Sequence, residues 1–546
     1  MRKILTLIAG TMITGSLLAG GLVTNTNQSA SWVRMPARNA SIETDAAYYN
    51  PAGLMKMENG FHFSLSNQTI FQTRTITSTY PYLNDRVDGV RTYEGKVTAP
   101  FFPSIYAVYK MDKFAFSLGF MPIGGGGGAT YEDGLPSFEM SQSDLVPSLA
   151  SSFGVTQYKM DVYFKGSSTF LGYQGAVSYK LADWISISAG ARFVTAKNTY
   201  EGYLRDVQVN PGGGESFVDA SDIMTGIAGN ATTAATSTTA IMGAVPASAG
   251  WTLAQAQTNG VITAPQRAQL EGALTAFGYP TSVNIATADA IFKGAARKYT
   301  NTATLLMDQE AKAEQSGSGI APFFNVNISP TEDLNISVKY EMATKLELTN
   351  KTTSDLTTGF EGDDPTKPIT KFPDGEKVRN DMPAMLAVGV QWKVSKFNLA
   401  AGLNYYWDNL ADYGHTHDAT INNSTDWPVA YDNSEIIDQN GLAFQFGAEY
   451  NVTDKILVSG GYSWANKGVN SKYQSDLTYG NSTNSIGLGG AYAINDKFRV
   501  NIGAGYTMYN KDTKVIGHYL GNTGLTAWET YTKSTMMFGI GVDINF

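Results

Sequence analysis

The sequence predicts an all-β protein, a 14-stranded antiparallel transmembrane β-barrel with an N-terminal hatch that plugs the lumen and a helical extracellular loop insertion. Three features lead to this prediction. Apolar residues alternate with small or polar ones along most of the chain after residue 60. The connections between these stretches are alternately short and long. Residues 22–59 show no such alternation. A period of two indicates β-strands, and short turns that alternate with long loops are typical of outer-membrane barrels.

The composition supports a membrane protein and excludes several function classes. Only 16% of the 546 residues are charged, whereas a soluble domain carries about 25%. The net charge of −9 and the lack of a basic stripe argue against a nucleic-acid partner. The chain has no Cys, which excludes disulfides, thiolate metal sites and cysteine nucleophiles.

The N-terminus reads as a secretory signal peptide. Arg2 and Lys3 precede an apolar run from Ile4 to Leu18, and small residues follow. This order of charged, apolar and small residues is typical of an exported protein. The alternative, a membrane anchor, needs a longer run of about 20 apolar residues. We therefore expect residues 1–21 to be removed, with cleavage somewhere between residues 18 and 30.

The strands carry an apolar set on one face and a small or polar set on the other. In the last strand the apolar set is Phe538, Ile540, Val542, Ile544 and Phe546, with Gly, Asp and Asn residues between them. A soluble sandwich would bury the apolar set and expose the polar one. A membrane barrel turns the apolar set to lipid and the polar set to the lumen.

The connections favour the barrel. Links such as Ala182-Asp183 and Asn495-Asp496-Lys497 are short, and every other connection is long and polar. Short links are expected on the periplasmic side, together with both termini, and long loops outside. The predicted strands lie near residues 61–78, 101–111, 113–130, 167–182, 184–204, 300–329, 333–352, 380–394, 396–409, 441–453, 455–468, 482–495, 497–510 and 534–546. The barrel as a whole is predicted over residues 60–546.

The longest interruption, residues 205–299, is predicted to be an extracellular insertion with short helices. Ala, Thr and Gly dominate it and the period changes. Thr263 is placed to cap one helix that ends at Gly278, and a second helix is predicted from Ala288 to Lys298. A connection of this length is usually functional or disordered, and its apolar helix faces favour folded helices over the barrel mouth.

Residues 22–59 are predicted to fold back into the barrel as a hatch. Fourteen strands enclose a lumen wider than that of an eight-stranded barrel, which side chains alone can fill. The segment is too short for a separate domain and too apolar for a free tail. It contains the stretch "DAAYYNPAGL", in which Pro51 removes a backbone donor.

Three stretches resemble the long-chain fatty acid transporter (FadL-type) family of outer-membrane channels, which includes toluene and other aromatic hydrocarbon channels. They are "YYNPAGL" before the first strand, "SGSGIAPFFNVNISPTEDLNISVKYEM", and "DMPAMLAVGVQWKV" followed by "FNLAAGLNYYWDN". The resemblance implies a hatch motif at Asn50, Pro51, Ala52 and Gly53. It also implies passive transport of hydrophobic compounds, with long-chain fatty acids as the first expectation. Aromatic hydrocarbon uptake is an alternative, and so is a structural or adhesive barrel.

The third predicted strand contains an interruption of the regular strand pattern. It runs into "FMPIGGGGGATYEDGL", in which a proline and a glycine run interrupt the strand: Pro122, Gly124, Gly125, Gly126, Gly127 and Gly128. Such residues mark bulges, bends or close approach of another chain segment. The resemblance implies an inward kink that opens the wall, through which a ligand leaves sideways into lipid. The alternative is a flexible loop that begins at Pro122.

Three cations are expected to point into the lumen: Arg192, Lys339 and Arg499. A fatty-acid carboxylate in an apolar site would be bound by such a cation. The alternative is that these residues pair with Glu341 or Glu449 and hold the hatch in place.

The sequence indicates no enzyme, because no serine lies in a recognisable catalytic motif. His415 and His417 have the spacing of metal ligands on a strand, but they lie in a polar loop, so we expect no metal and no cofactor. The expected partners are a hydrophobic small molecule and the lipid of a bacterial outer membrane, with the protein acting as a monomer.

Overall fold

The computed structural model describes residues 24–80, 82–83, 90–413, 437–471, 474–477, 479–517 and 526–546. The predicted signal peptide, residues 1–21, lies outside this range, and so do His415 and His417.

Fourteen strands of the described residues form one closed antiparallel barrel. They are β1 (Gly60–Ser78), β2 (Arg91–Met111), β3 (Phe114–Tyr131), β4 (Tyr158–Ala182), β5 (Ile185–Val209), β6 (Gln309–Ile328), β7 (Leu334–Glu341 and Glu347–Ser354), β8 (Lys377–Arg379 and Met385–Val394), β9 (Phe397–Tyr406), β10 (Gly441–Asn451), β11 (Ile456–Asn466), β12 (Thr483–Ala493), β13 (Phe498–Tyr509 and Asp512–Gly517) and β14 (Thr526–Asn545). Each strand pairs with the next, and β14 pairs with β1 from His62↔Asn545 to Ser78↔Glu529. The predicted fold class and strand number are confirmed.

The two faces of the wall differ as the alternation predicts. In β1, Phe61 and Leu65 are exposed on the outside, whereas Ser64, Ser66 and Gln68 between and after them are buried in the lumen. Exposed apolar side chains recur at alternate positions of the other strands, as at Phe116 and Leu118 on β3 and at Phe538 and Ile540 on β14. An apolar outer belt is favourable only in lipid. No helix among the described residues is long and apolar enough to cross a bilayer.

The insertion between β5 and β6 holds four helices: α5 (Ala220–Ala244), α6 (Leu253–Thr258), α7 (Ala264–Ala276) and α8 (Ile285–Leu306). The α7 helix begins as predicted, because the Thr263 side chain caps it and forms a capping box with Gln266. The α5 helix was not predicted, and α8 is longer than predicted. Residues 300–306 were assigned to a strand, but they continue α8, whose Phe292, Tyr299 and Leu306 share one buried face.

The remaining elements lie in the connections between barrel strands. The β3–β4 connection forms α3 (Pro136–Ser143) and α4 (Leu145–Phe153). Short strands occur at Val218–Asp219, Thr357–Phe360 and Pro368–Thr370, and 3₁₀ turns at Pro211–Gly213, Pro246–Gly250, Glu361–Asp363 and Asp408–Leu410.

Residues 24–59, called the N-terminal segment below, lie inside the barrel. They contain α1 (Ala30–Arg34), α2 (Ala46–Tyr49) and a 3₁₀ helix (Pro51–Lys56). The α1 helix packs against β12, β13 and β14, whereas the 3₁₀ helix packs against β4, β5 and β6 on the opposite side of the barrel. The segment therefore spans the lumen from wall to wall.

Candidate functional site

The third strand bends inward at its proline and glycine run. Residues 121–125 are all buried, which breaks the alternation of the strand. Gly125 and Gly127 have φ values of 89° and 70°, a region that suits glycine. A Cβ atom on Gly125 would lie 2.4 Å from the carbonyl oxygen of Ser168 on β4. The kink therefore depends on glycine at these positions.

The kink opens the hydrogen-bond ladder between β2 and β3. Pairing runs from Met111↔Phe114 up to Ile105↔Phe120, stops, and resumes only at Val97↔Ala129. The unpaired stretch of β2 contains Pro100 and Pro103, and neither residue has a backbone N–H to donate. We call this interruption the wall gap. The two prolines are a signal that the sequence analysis missed.

The N-terminal segment binds the kinked strand in place of β2. The backbone N–H of Asn25 donates to the carbonyl oxygen of Ile123 at 2.8 Å, and Thr24 forms an antiparallel bridge with Gly124. The Gln28 amide donates to the carbonyl oxygen of Pro122 at 2.7 Å. The kink and the segment inside the barrel are thus joined directly.

The four residues of the expected hatch motif pack against β4, β5 and β6. The Asn50 amide donates to Asn327 at 2.7 Å and to the Ser41 carbonyl at 3.0 Å. The backbone of Pro51 and Ala52 forms three hydrogen bonds of 2.7 Å with polar side chains of the wall. The carbonyl oxygen of Pro51 accepts from Ser178. The Ala52 N–H donates to Asn325, and the Ala52 carbonyl oxygen accepts from Ser186. A Cβ atom on Gly53 would lie 2.8 Å from the Ser41 carbonyl oxygen, so the turn is closely packed.

Arg192 and Lys339 both bind the carboxylate of Glu341. The Arg192 guanidinium binds both oxygens of Glu341, and Lys339 Nζ lies 3.2 Å from Glu341 Oε2. Both cations also lie 4.9 Å from the ring centroid of Tyr48, and Lys339 donates to the Tyr48 carbonyl at 2.7 Å. These contacts tie α2 of the N-terminal segment to β5 and β7.

Arg499 lies apart from that pair. It donates to Glu43 of the N-terminal segment at 2.5 Å, and Glu43 also binds Arg38. Each of the three cations considered for a ligand carboxylate therefore has an acidic partner within the protein. Arg192 and Lys339 thus pair with Glu341, as in the alternative to ligand binding. Arg499 pairs with Glu43 and not with Glu341 or Glu449, because Glu449 is bound by Arg34.

Buried apolar side chains pack together on both sides of the kink. One cluster joins the N-terminal segment to the wall beside the kink and includes Tyr49, Tyr106, Met121, Ile123 and Phe170. A second cluster lies toward the long loops and is rich in rings: Tyr93, Tyr131, Phe164, Tyr200, Phe372, Tyr479 and Tyr531. We call the second set the external aromatic cluster. Together the clusters place apolar side chains from the loop side of the barrel to the wall gap.

Comparisons with known proteins agree with this architecture. A crystal structure of a FadL homologue from Pseudomonas aeruginosa is similar over 97% of this chain and 100% of that chain, with a TM-score of 0.54 at 13% identity. The CymD monoaromatic hydrocarbon channel is similar over 94% of this chain and 98% of that chain, with a TM-score of 0.46 at 12% identity. For the toluene transporter TbuX of Ralstonia pickettii the coverages are 94% and 98%, with a TM-score of 0.45 at 15% identity. No protein-family model matches the chain, and no curated protein matches it significantly in sequence.

The closed barrel, its apolar outer belt and its alternating turns and loops define an outer-membrane β-barrel protein. Within that class, the chain has the fold of the FadL-type channels, as its sequence motifs predict.

Proposed function

We propose that this protein is a passive outer-membrane channel for hydrophobic compounds, with long-chain fatty acids as the first substrate. The observation that carries the proposal is the wall gap between β2 and β3, which lies beside the apolar cluster that joins the N-terminal segment to the wall. A water-filled porin needs neither feature.

The proposed route runs from the loop side, along the external aromatic cluster, to the wall gap and then into the lipid. Exit through the side wall is favourable for a hydrophobic ligand, because it avoids transfer through periplasmic water. In this proposal Pro122 and the glycines from Gly124 to Gly128 shape the opening. The N-terminal segment, held by residues 50–53 and by the buried ion pairs, closes the lumen to ions.

Aromatic hydrocarbons are a second candidate substrate class. The observation that favours them is the external aromatic cluster, in which pairs such as Tyr200 and Phe372 stack with ring centroids 4.7 Å apart. Rings arranged in this way also accept a further aromatic molecule. A structural or adhesive barrel, the remaining alternative, has no evident use for a wall gap.

Uptake into cells tests the proposal. Cells that lack their own long-chain fatty acid channel would express this chain and be offered labelled oleate or labelled toluene. We expect oleate uptake above that of cells without the chain, and mass spectrometry of the purified protein should detect a bound hydrophobic compound. Uptake of neither compound would contradict the proposal, and uptake of toluene alone would favour the second candidate.

A further inference from the structure

Two further cations face each other where the first and last strands of the barrel pair. Arg74 on β1 and Lys533 on β14 are direct cross-strand partners. Both side chains are half-buried and lie on the lumen face, the same face as the buried Ile76 and Tyr531 two residues away. Like charges directly opposite each other destabilise a strand pair. Their retention inside the barrel therefore calls for a compensating anion.

The hydrogen-bond acceptors of Arg74 and Lys533 within the described residues are uncharged. Arg74 Nε donates to Gln72 at 2.7 Å, and its Nη2 donates to the carbonyl oxygen of Gly126 in the kink at 3.1 Å. Lys533 Nζ donates to the carbonyl oxygen of Tyr479 at 2.6 Å. Within the described part of the chain, neither residue forms an ion pair with a carboxylate, and the charged groups that act on Lys533 are the cations Arg74 and Lys467.

The surroundings of the two cations combine polar and apolar groups. The rings of Tyr479 and Tyr509 lie 4.1 and 5.9 Å from Lys533 Nζ. The hydroxyl of Tyr131 is buried beside Arg74 and Tyr479. Tyr131 and Tyr479 both belong to the external aromatic cluster. Two cations without a carboxylate partner, a buried hydroxyl and a cluster of aromatic side chains thus occur together.

We propose that Arg74 and Lys533 form the binding site for the carboxylate of an amphipathic ligand, whose hydrocarbon tail lies against the external aromatic cluster. The inference rests on the proposed function and deepens it, because it selects an anionic amphiphile, such as a fatty acid, over a neutral hydrocarbon. Guanidinium and ammonium groups form strong charge-assisted hydrogen bonds with carboxylates. Arg192, Lys339 and Arg499 are less suited to this role, because each of them already binds a glutamate.

The position of the site ties recognition to the proposed exit. Because Arg74 also donates to Gly126, a carboxylate bound by Arg74 lies beside the kinked strand. When the carboxylate is bound there, the hydrocarbon tail of the ligand can reach the wall gap. The site therefore serves as the point at which an anionic ligand is selected before it leaves through the wall.

Binding of palmitate and of its methyl ester to the purified full-length protein tests this inference. Replacing both cations (Arg74→Gln with Lys533→Gln) should weaken palmitate binding about tenfold to a hundredfold, as for loss of hydrogen bonds to charged groups, and leave ester binding unchanged. Arg192→Gln should weaken both ligands equally, because it disturbs packing of the N-terminal segment. Lys96→Gln, which removes a cation whose side chain is 77% exposed on β2, should change neither.

The outcomes separate the inference from the proposed function. Equal losses for palmitate and ester, or unchanged palmitate binding in the double variant, would overturn the carboxylate site while leaving transport intact. Wild-type protein that binds neither ligand would overturn both proposals. Heat-modifiable gel mobility verifies folding of each variant, and if the double variant does not fold, the single variants Arg74→Gln and Lys533→Gln take its place. Each single variant should weaken palmitate binding more than ester binding, and equal losses for the two ligands in both variants would count against the site.

Discussion

Arg34 in α1 binds Glu449 on β10 inside the barrel, across 415 residues of sequence. The two side chains are 0% and 4% exposed, and Asn398 on β9 donates to the second oxygen of Glu449 at 2.7 Å. Removal of one partner from a buried ion pair costs about 3–5 kcal/mol, because the other charge stays buried and uncompensated. This pair therefore anchors the N-terminal segment to the wall.

Glu449→Gln should loosen that segment. We expect a barrel that still assembles but conducts ions better than wild type in planar bilayers, because the buried charge of Arg34 drives α1 away from β10. Glu347→Gln is the matched control, since Glu347 forms an exposed pair with Lys377 at 2.7 Å and exposed pairs contribute only about 0–1 kcal/mol. Conductance equal to that of the control would show that the anchor does not keep the lumen closed.

Removal of the N-terminal segment as a whole should have a larger effect. A mature chain without residues 22–57 should assemble and show large, steady single-channel currents, because the segment spans the lumen between β4–β6 and β12–β14. Single-channel recording beside the intact protein measures the difference. If the shortened barrel conducts no better than the intact one, another part of the chain must close the lumen.

The barrel strands could be predicted because lipid and lumen impose opposite polarity on alternate residues. Helix α5 could not be predicted in this way, because its buried residues are small, among them Ala228, Ala231 and Ala235. The residues between them are Thr, Gly and further Ala, so the hydrophobic period of the helix is weak. The start of β6 was misplaced for a related reason. The residues before it continue the long helix α8, and the helical and strand periods meet without a proline or glycine between them.

The site was less predictable than the wall. The kink was visible in the sequence because a proline and a glycine run are rare inside a strand. Arg74 was not, because the upper part of β1 reads "QTRTITS", where both faces are mostly polar and the alternation does not show which face is inward. Glu341 was among the candidate partners of Arg192, whereas Glu43 was not considered for Arg499. Glu43 lies in the N-terminal segment and meets Arg499 only in the closed barrel.

The helices between β3 and β4 should open more readily as the pH rises. Asp144, between α3 and α4, is buried and accepts a hydrogen bond from Tyr80. Burial raises the pKa of its carboxyl to about 7, whereas an aspartate in an unfolded chain has a pKa of about 3.9. Between these values the folded state binds more protons than the unfolded state, so stability falls as the pH rises from about 4 to about 7.

Hydrogen exchange of residues 136–153, corrected for the intrinsic rate at each pH, measures this opening. Wild-type protein should lose protection between about pH 4 and about pH 7. Asp144→Asn keeps an acceptor for Tyr80 but cannot ionise, so its protection should stay constant. Asp133→Asn changes an exposed aspartate nearby and should retain the wild-type dependence on pH. A wild-type dependence in the Asp144 variant would assign the effect to another group.

Narrowing the wall gap should slow uptake without unfolding the barrel. Gly125 and Gly127 are unsuitable positions for such a test, because their positive φ values would strain any larger residue. Gly128 borders the gap and lacks a positive φ, and a Cβ atom there would meet Ser167 at an ordinary 3.5 Å. We expect Gly128→Leu to fold, because a side chain suits a strand better than glycine does, and to take up labelled oleate more slowly.

Gly175→Leu supplies the comparison that makes this result specific to the gap. Gly175 lies on β4 near the exposed Leu118, from which a Cβ atom would be 3.7 Å away, so the substitution adds the same volume to the lipid face away from the gap. Both variants should show wild-type heat-modifiable gel mobility, and only Gly128→Leu should take up labelled oleate more slowly. Because the added leucine leaves the lumen and the N-terminal segment unchanged, normal uptake by a folded Gly128→Leu barrel would mean that the ligand leaves through the periplasmic end.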